Sequence, residues 1–173
     1  MNKFFIIEGP DCSGKTSLAK AMCLQLNGVY WHSSGKKSLH RCMQDYHTTV
    51  LDSIEQNLDL GRVVVLDRHW PTEFVYATVL RPNLLGQYDF RVMTKRTEEM
   101  GATYIFCGDD EVQQRHRLLH TGMDHHYDAG TFAAICGEYR SLEEEFLSDR
   151  KHHYSVLEDG PSTHMRLFIS DIS

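Results

Sequence analysis

The segment from Gly9 to Thr16 constrains the fold of this chain more than any other part of the sequence. It reads Gly-Pro-Asp-Cys-Ser-Gly-Lys-Thr and fits G-x-x-x-x-G-K-[ST], the pattern of a phosphate-binding loop. Apolar residues before it predict a buried strand over 3–8, and apolar residues at spacings of four after it predict an amphipathic helix over 15–26. This order favours an anion site, because glycines let backbone N–H groups converge and the helix contributes its positive end.

The loop is therefore the predicted binding site of a nucleoside triphosphate, with ATP as the expected co-substrate. Lys15 can reach the outer phosphates, and the hydroxyl group of Thr16 can ligate Mg²⁺, which is the expected cofactor. The residues predicted to bind ATP are Gly9, Asp11, Cys12, Ser13, Gly14, Lys15, Thr16 and Ser17.

A second motif, Asp67-Arg68, follows a Val-rich run that predicts a strand over 63–66. In an open α/β sheet, ligands bind beyond the carboxyl ends of the strands. An acidic residue at that point in a phosphate-loop enzyme holds Mg²⁺, often through water, and an arginine beside it can bridge two phosphate groups with its planar fork. Taken alone, the pair would be interpreted as a surface ion pair, but the upstream loop favours a role in phosphoryl transfer.

A third group of cations, Arg115 and Arg117, follows a predicted strand over 104–107. Phosphoryl transfer moves a highly charged group and requires cations that screen it. The adjoining loop over 119–130 is rich in Gly and His, and it is predicted to close over ATP as a lid. The alternative interpretation of these arginines is a solvated, charged helix face.

Strand-like and helical patterns alternate along the whole chain, which is typical of βαβ units and a parallel sheet. The predicted strands cover 3–8, 29–32, 63–66, 104–107 and 154–157. The predicted helices cover 15–26, 38–60, 71–80, 87–100 and 130–148, with a further helix that starts at Asp110. Residues 166–169 fit a strand or a short helix. The prediction is one α/β domain over 1–173, with a five-stranded parallel sheet flanked by helices on both faces and a lid segment.

The composition limits the partners of the chain. Its 173 residues carry a formal net charge of −6, so no general attraction to nucleic acid or to an anionic membrane is expected, and local cations must hold a phosphate ligand. The N-terminus does not match a secretory signal, and no run approaches the roughly 20 apolar residues of a membrane span. Five cysteines without a C-x-x-C pair indicate reduced thiols. These features predict a cytoplasmic protein without nucleic-acid or membrane partners.

Together, these motifs resemble the thymidylate kinase family of nucleoside monophosphate kinases. That family's loop reads roughly F-E-G-x-D-G-x-G-K-[ST]-[ST], and residues 7–17 follow it with Cys12 in place of the middle Gly. The family's second motif, D-R-Y-x-x-S-x-x-A-Y-Q, aligns without a gap with residues 67–77. Its lid pattern, arginines and an acid followed by F-x-x-V-x-x-x-Y-x-x-L, resembles Arg115, Arg117, Asp128, Phe132, Ile135, Tyr139 and Leu142. The resemblance covers about residues 4–147.

The resemblance implies a P-loop kinase fold, a homodimer and an ATP-dependent deoxynucleoside monophosphate kinase, which converts a dNMP and ATP into a dNDP and ADP. It implies that Asp11 contacts the 3′-hydroxyl group and that Tyr76 helps to select a 2′-deoxy sugar. Thr72 stands where the family has a base-facing Ser. The implied catalytic residues are Lys15, Asp67, Arg68, Arg115 and Arg117. The implied substrate-binding residues are Asp11, Arg41, Arg68, Thr72, Tyr76 and Arg81, and the implied metal ligands are Thr16 and Asp67.

Several features leave alternatives open. Ala77 replaces the family's base-contacting Gln, so thymine, another or modified pyrimidine, or a purine can be the base. The short chain resembles compact phage members, which would place it in the host cytoplasm. Trp31, Trp70 and Phe74 are candidates for the base pocket, and each can equally be a core or surface residue. The rival functions are a deoxynucleoside kinase, which needs a general base, and a non-catalytic nucleotide-binding protein.

Overall fold

The computed structural model describes residues 3–33, 43–108, 127–145, 151–155 and 169–172. The strands in these ranges are β1 Phe4–Glu8, β2 Val29–His32, β3 Val64–Asp67, β4 Thr103–Cys107 and β5 Lys151–Tyr154. The longer helices in these ranges are α1 Lys15–Leu26, α2 Met43–Asp59, α3 Trp70–Leu80, α4 Phe90–Glu99 and α5 Ala129–Glu145. A 3₁₀ helix spans Pro82–Gln87, and residues 169–172 are helical.

The strands form one parallel sheet in the order β2-β3-β1-β4-β5. β1 lies in the centre, where Ile7 is in register with Asp67 of β3 and with Ile105 of β4. Because parallel strands end at the same edge, the loop after β1 begins in the middle of the carboxyl edge. Ligands of open α/β sheets bind at this edge.

Helices cover both faces of the sheet. Every residue of β1 is buried, as expected of a strand that is packed on both sides. Leu18 and Met22 of α1 belong to the cluster on one face. Leu51 and Ile54 of α2 pack in the cluster on the other face, together with Trp70 of α3. The predicted α/β architecture with helices on both faces is confirmed.

The last strand differs from its prediction. It was expected over 154–157, but β5 spans Lys151–Tyr154, so only Tyr154 lies in both ranges. Among the described residues β5 is the outermost strand of the sheet beside β4, and His152 and His153 are exposed there. An edge strand made of polar residues lacks the apolar run that identified the four other strands.

The helix predicted over 87–100 is also different. Pro82–Gln87 forms the 3₁₀ helix, and α4 begins only at Phe90. The carboxylate of Asp89 accepts a hydrogen bond from the backbone N–H of Val92 at 3.2 Å, which is an N-cap that fixes the start of α4. The helix predicted from Asp110 and most of the predicted lid lie outside the described residues. Among the described helices, none combines the length and the apolar character that a bilayer span requires.

Candidate active site

The loop between β1 and α1 has the backbone conformation that its sequence pattern predicts. Gly9 has φ 139°, Gly14 has φ 87° and Cys12 has φ 62°. Cys12 occupies the position at which the thymidylate kinase family, which the loop resembles, has glycine. A Cβ atom on Gly9 would lie 2.1 Å from the carbonyl oxygen of Cys107 in β4, so only glycine fits at this position. All the residues predicted to bind ATP lie in this loop or in the first turn of α1.

We expect Gly9→Ala to destabilise the fold by about 4 kcal/mol or more, because the new methyl group meets a backbone oxygen and the φ value is unfavourable for alanine. Urea denaturation followed by circular dichroism measures the loss. Gly137→Ala is the matched control, because no heavy atom lies within 4 Å of its Cβ position in α5. It should stabilise the protein by about 0.5–1 kcal/mol. Equal stability of the Gly9→Ala variant and the wild type would contradict the close approach.

Lys15 is folded over the loop. Its ammonium group donates to the carbonyl oxygen of Pro10 at 2.5 Å and to the hydroxyl oxygen of Ser13 at 3.4 Å. Burial, and to a lesser extent the nearby Arg68 guanidinium, lowers the pKa of Lys15 to about 8. The buried cation is thus bound to two neutral oxygens, and an anionic oxygen would form a stronger hydrogen bond with it than either of these.

Asp67, at the end of β3, accepts two hydrogen bonds on one carboxylate oxygen, and a histidine nitrogen lies near the same oxygen. Its Oδ2 lies 2.6 Å from the hydroxyl oxygen of Thr16 and 3.0 Å from that of Tyr30. The Nδ1 atom of His32 lies 3.2 Å from the same oxygen. The structure thus brings together Thr16 and Asp67, the two residues that the sequence predicts as metal ligands.

The site fits Mg²⁺ better than it fits an all-protein metal centre. The Oδ1 atom of Asp67 is buried and has no hydrogen-bond partner among the described residues. Mg²⁺ prefers carboxylate and hydroxyl oxygens and keeps several water or phosphate ligands. Within the described ranges, no group of three or more His, Cys, Asp and Glu residues is arranged to hold a metal. Asp67 and Thr16 therefore suit a cation that arrives with nucleotide phosphates and water.

The two sequence motifs meet in an ion pair between Arg68 and Asp11. The hydroxyl group of Tyr76 donates to the other oxygen of Asp11 at 3.2 Å, and the guanidinium of Arg68 lies 5.8 Å from the centre of the Tyr76 ring. Arg68 has a left-handed φ of 71°, and its backbone N–H donates to Ile7 at 3.0 Å. This turn directs the Arg68 side chain toward the phosphate-binding loop.

A cavity of about 410 Å³ lies between the loop, the end of β2, α2 and α3. This volume is within the range of about 300–1,000 Å³ that is usual for small-molecule sites. Predicted substrate-binding residues that line it are Asp11, Arg68, Thr72, Tyr76 and Arg81. Lining residues that the sequence did not indicate are His32, Ser33, Met43, His47, His69, Glu73 and Tyr127. Arg81 donates to Glu73 at 3.2 Å, so an ion pair forms part of the cavity wall.

Other predicted site residues lie elsewhere or outside the described part of the chain. Trp70 is 4% exposed and donates to the hydroxyl oxygen of Tyr104 at 2.9 Å, so it is a core residue. Trp31 and Phe74 pack against the hydrophobic cluster that contains Trp70, and neither of them lines the cavity. Arg41, Arg115 and Arg117 lie outside the described residues.

Glu8 is a site residue whose side-chain role the sequence analysis missed. It ends β1, directly before the loop, and it is completely buried. Its carboxylate accepts from the backbone N–H of His69 at 2.5 Å and from the hydroxyl group of Thr72 at 2.6 Å. Burial raises the pKa of Glu8 to about 7. A charged residue directly between a fully apolar run and the phosphate-loop motif is the signal that could have identified it.

Two histidines lie beneath the cavity. His47 and His69 are each 1% exposed, and their ring centres are 4.5 Å apart. Burial lowers the pKa of His47 to about 4 and that of His69 well below its usual value, so both rings are neutral at pH 7. The Nδ1 atom of His47 lies 2.5 Å from the hydroxyl oxygen of Tyr88. A neutral pair avoids the repulsion that two imidazolium rings would have at this distance.

The pKa of His47 predicts a loss of stability in acid. The unfolded chain takes up this proton near pH 6.5, whereas the folded protein takes it up near pH 4. The stabilisation is therefore complete above pH 6.5 and is lost as the pH falls toward 4, by about 3 kcal/mol in total. Urea denaturation of the wild type and of His47→Gln between pH 7 and 4 measures this. The opposite contribution of Glu8 is present in both proteins and cancels, so parallel curves would contradict the prediction.

Comparisons with known proteins identify the fold through solved structures. No family model matches the sequence, and no curated protein is similar to it. The chain is similar to the YorR protein of Bacillus subtilis, solved in complex with phosphorylated GDP, with 18% identity, 98% coverage of this chain, 95% of that chain and a TM-score of 0.75.

Two further solved structures cover almost the whole chain. Deoxyadenosine kinase from M. mycoides with bound dATP is 12% identical, with 98% of each chain covered and a TM-score of 0.65. Thymidylate kinase from Ehrlichia chaffeensis is 14% identical, with 99% of each chain covered and a TM-score of 0.61. The fold and the loop define a P-loop protein. More particularly, the chain has the α/β fold of the P-loop nucleoside and nucleotide kinases.

Proposed function

We propose that this protein is an ATP-dependent deoxynucleoside monophosphate kinase, which transfers the γ-phosphoryl group of ATP to a dNMP and releases a dNDP and ADP. The observation that carries the proposal is the ion pair between Arg68 and Asp11, which joins the acceptor-side motif to the phosphate-binding loop. Both residues line the cavity, so an acceptor bound there would lie against the donor site. The fold shared with deoxyadenosine kinase and thymidylate kinase supports the proposal.

On the donor side, the loop N–H groups and Lys15 bind the β- and γ-phosphates of ATP. Thr16 and Asp67 would hold Mg²⁺, with Asp67 acting partly through water. When bound, Mg²⁺ neutralises charge on the phosphate oxygens. Arg115 and Arg117 close over the transferring group as a lid. Catalysis then consists of positioning and charge screening.

On the acceptor side, an oxygen of the dNMP phosphate attacks the γ-phosphorus while the bond to the β-phosphate oxygen breaks. The acceptor phosphate is a nucleophile at neutral pH, so no strong general base is needed. Arg68 bridges the two phosphates, and Asp11 and Tyr76 bind the deoxyribose. Thr72 and Arg41 bind the base, which is thymine or a related or modified pyrimidine, and Arg81 is a further substrate-binding residue.

A deoxynucleoside kinase is the second candidate. This reaction needs a group that removes the proton from a 5′-hydroxyl group, and the imidazole of His32 favours it. His32 lines the cavity, its side chain is 42% exposed, and its Nδ1 atom lies 3.2 Å from Oδ2 of Asp67. The similarity to deoxyadenosine kinase favours the same candidate.

A coupled assay of ADP release separates these functions. The purified protein is given ATP, Mg²⁺ and, in separate reactions, dTMP, dUMP, dCMP, 5-methyl-dCMP, dGMP and dAMP, with thymidine, deoxycytidine and deoxyadenosine beside them. We expect turnover with at least one pyrimidine dNMP and a kcat/KM at least about 100-fold lower for the matching nucleoside. The reverse preference would establish the second candidate. ATP binding without turnover of any acceptor would overturn both.

A further inference from the structure

Glu8 provides the N-terminal cap of a helix to which it does not belong. His69 is the N-cap residue of α3, and its own side chain makes no capping hydrogen bond. The Glu8 carboxylate, which comes from the end of β1, accepts from the backbone N–H of His69 and from the hydroxyl group of Thr72 in the first turn. A negative charge at a helix N-terminus is favourable. The residue before the phosphate-binding loop is thus tied directly to the start of α3.

The hydroxyl group of Thr72 extends this contact to a second helix. It lies 2.8 Å from the hydroxyl oxygen of Tyr139 in α5 and 3.5 Å from a guanidinium nitrogen of Arg68. When Glu8 is ionised, Thr72 must donate to Glu8, so Tyr139 donates to Thr72. The hydrogen bonds therefore run in one direction from α5 through α3 to β1. The ring of Tyr139 also packs on α3, in a cluster with Val75.

We propose that Glu8 is a positioning residue that fixes α3 relative to the phosphate-binding loop, and with it the side chains of Arg68 and Thr72. The inference rests on the proposed function, because Arg68 and Thr72 matter to it as acceptor-side residues. Glu8 is completely buried at the end of β1, so the proposed role acts through the two oxygens of its carboxylate and not through contact with a substrate.

The ionised carboxylate of Glu8 destabilises the folded state, which supports a role for this residue beyond folding. Burial raises the pKa of Glu8 to about 7, although Thr72, Arg68, His69 and Lys15 each lower it. Tyr104 and Tyr139 also face it. Since the unfolded value is 4.5, ionised Glu8 weakens the fold as the pH rises from about 4.5 to 7. A buried acid that destabilises the protein at neutral pH is typical of residues retained for function.

Protonation of Glu8 would reverse the hydrogen bonds without separating the residues. The new O–H group donates to Thr72, and Thr72 then donates to Tyr139. The ion–dipole attraction to the start of α3 and the attraction to Arg68 are lost in this state. Glu8→Gln is the permanent counterpart of the protonated state, because it has the same shape and no charge.

The test compares the wild type with Glu8→Gln in the full chain, using ATP, Mg²⁺ and dTMP, or the dNMP with the highest turnover in the acceptor panel. We expect kcat/KM for the dNMP to fall about tenfold at pH 8, while KM for ATP changes less than twofold. Below pH 7 the two proteins should converge, because wild-type Glu8 is then protonated as well. Tyr139→Phe should lower the same constant, and its effect should be smaller in the Glu8→Gln background, since both changes interrupt one series of hydrogen bonds.

Other outcomes overturn the inference. A merely structural Glu8 would give equal losses for ATP and the dNMP, or no change in the pH profile. Should the wild type phosphorylate no dNMP, the proposed function fails, and amide hydrogen exchange still tests the positioning role. Exchange in Glu8→Gln should then increase at residues 69–72 and stay unchanged in α4. Equal exchange at residues 69–72 in both proteins would show that Glu8 does not hold α3.

Discussion

Replacement of Lys15 by alanine should reduce kcat for phosphoryl transfer by about 100- to 1,000-fold. Lys15 is the cation of the phosphate-binding loop, and its ammonium group rests on the loop oxygens of Pro10 and Ser13. In the transition state that group would neutralise charge on the transferring phosphoryl group, and water admitted by alanine cannot replace a fixed charge at that point. ADP release at saturating ATP and dNMP measures the change.

The same replacement should leave the fold intact. Burial lowers the pKa of Lys15 to about 8, whereas the unfolded chain holds this proton up to about pH 10.5, so the buried charge disfavours the folded state at neutral pH. The free energy of unfolding of Lys15→Ala should therefore equal or exceed that of the wild type. Lys20→Ala, at an exposed position of α1, is the control and should keep full activity. Normal turnover by Lys15→Ala would show that the loop does not bind the transferred phosphate.

Replacement of Asp67 by asparagine should lower kcat by at least about 100-fold and raise the Mg²⁺ concentration needed for half-maximal activity. The amide keeps the shape of the carboxylate, and its oxygen can still accept from Thr16 or Tyr30, so the end of β3 should keep its structure. What the variant loses is the negative charge, and Mg²⁺ binds a neutral amide oxygen less strongly than a carboxylate.

Initial rates measured over a series of Mg²⁺ concentrations test this second prediction. Asp59→Asn, at the exposed end of α2, removes the same charge from a remote place and should behave as the wild type. Thr16→Ser keeps a hydroxyl group and should retain most activity, while Thr16→Ala should shift the Mg²⁺ dependence in the same direction as Asp67→Asn. An unchanged Mg²⁺ dependence in Asp67→Asn would remove Asp67 from the metal site.

The parts of the site that could be predicted from the sequence are those that lie in short contiguous motifs. Gly9, Lys15 and Thr16 belong to one tight loop with the fixed spacings of a phosphate-loop motif, so their pattern is visible within eight residues. Asp67 and Arg68 could be placed beside this loop because both strands end at the same edge of a parallel sheet. The contact between Thr16 and Asp67 at 2.6 Å follows from these two facts.

The remaining site residues were missed because their roles depend on contacts that are distant in the chain. Glu8 differs from a surface acid only in its burial, which follows from the strands and helices around it. The helical period of α2 explains the apolar residues near His47 but indicates no role for His47 itself. His69 occupies the motif position at which the thymidylate kinase family, which the motif resembles, has Tyr. Glu73 is paired with Arg81, the C-cap residue of the same helix, at a spacing of eight residues that no sequence motif marks. β5 was misplaced for a related reason, since a polar edge strand is recognised by its pairing with β4 and not by its composition.

The position of β5 has a consequence for the behaviour of the protein at high concentration. The outer strand of a sheet offers backbone groups to which a strand from another molecule can add, and such additions lead to aggregates. β5 is the outermost strand on its side of the sheet among the described residues, it is four residues long, and it carries Lys151, His152 and His153. A short strand with a charged and two polar side chains is a poor template for this growth. The polar composition that made β5 difficult to predict from the sequence therefore also disfavours the addition of strands from other molecules.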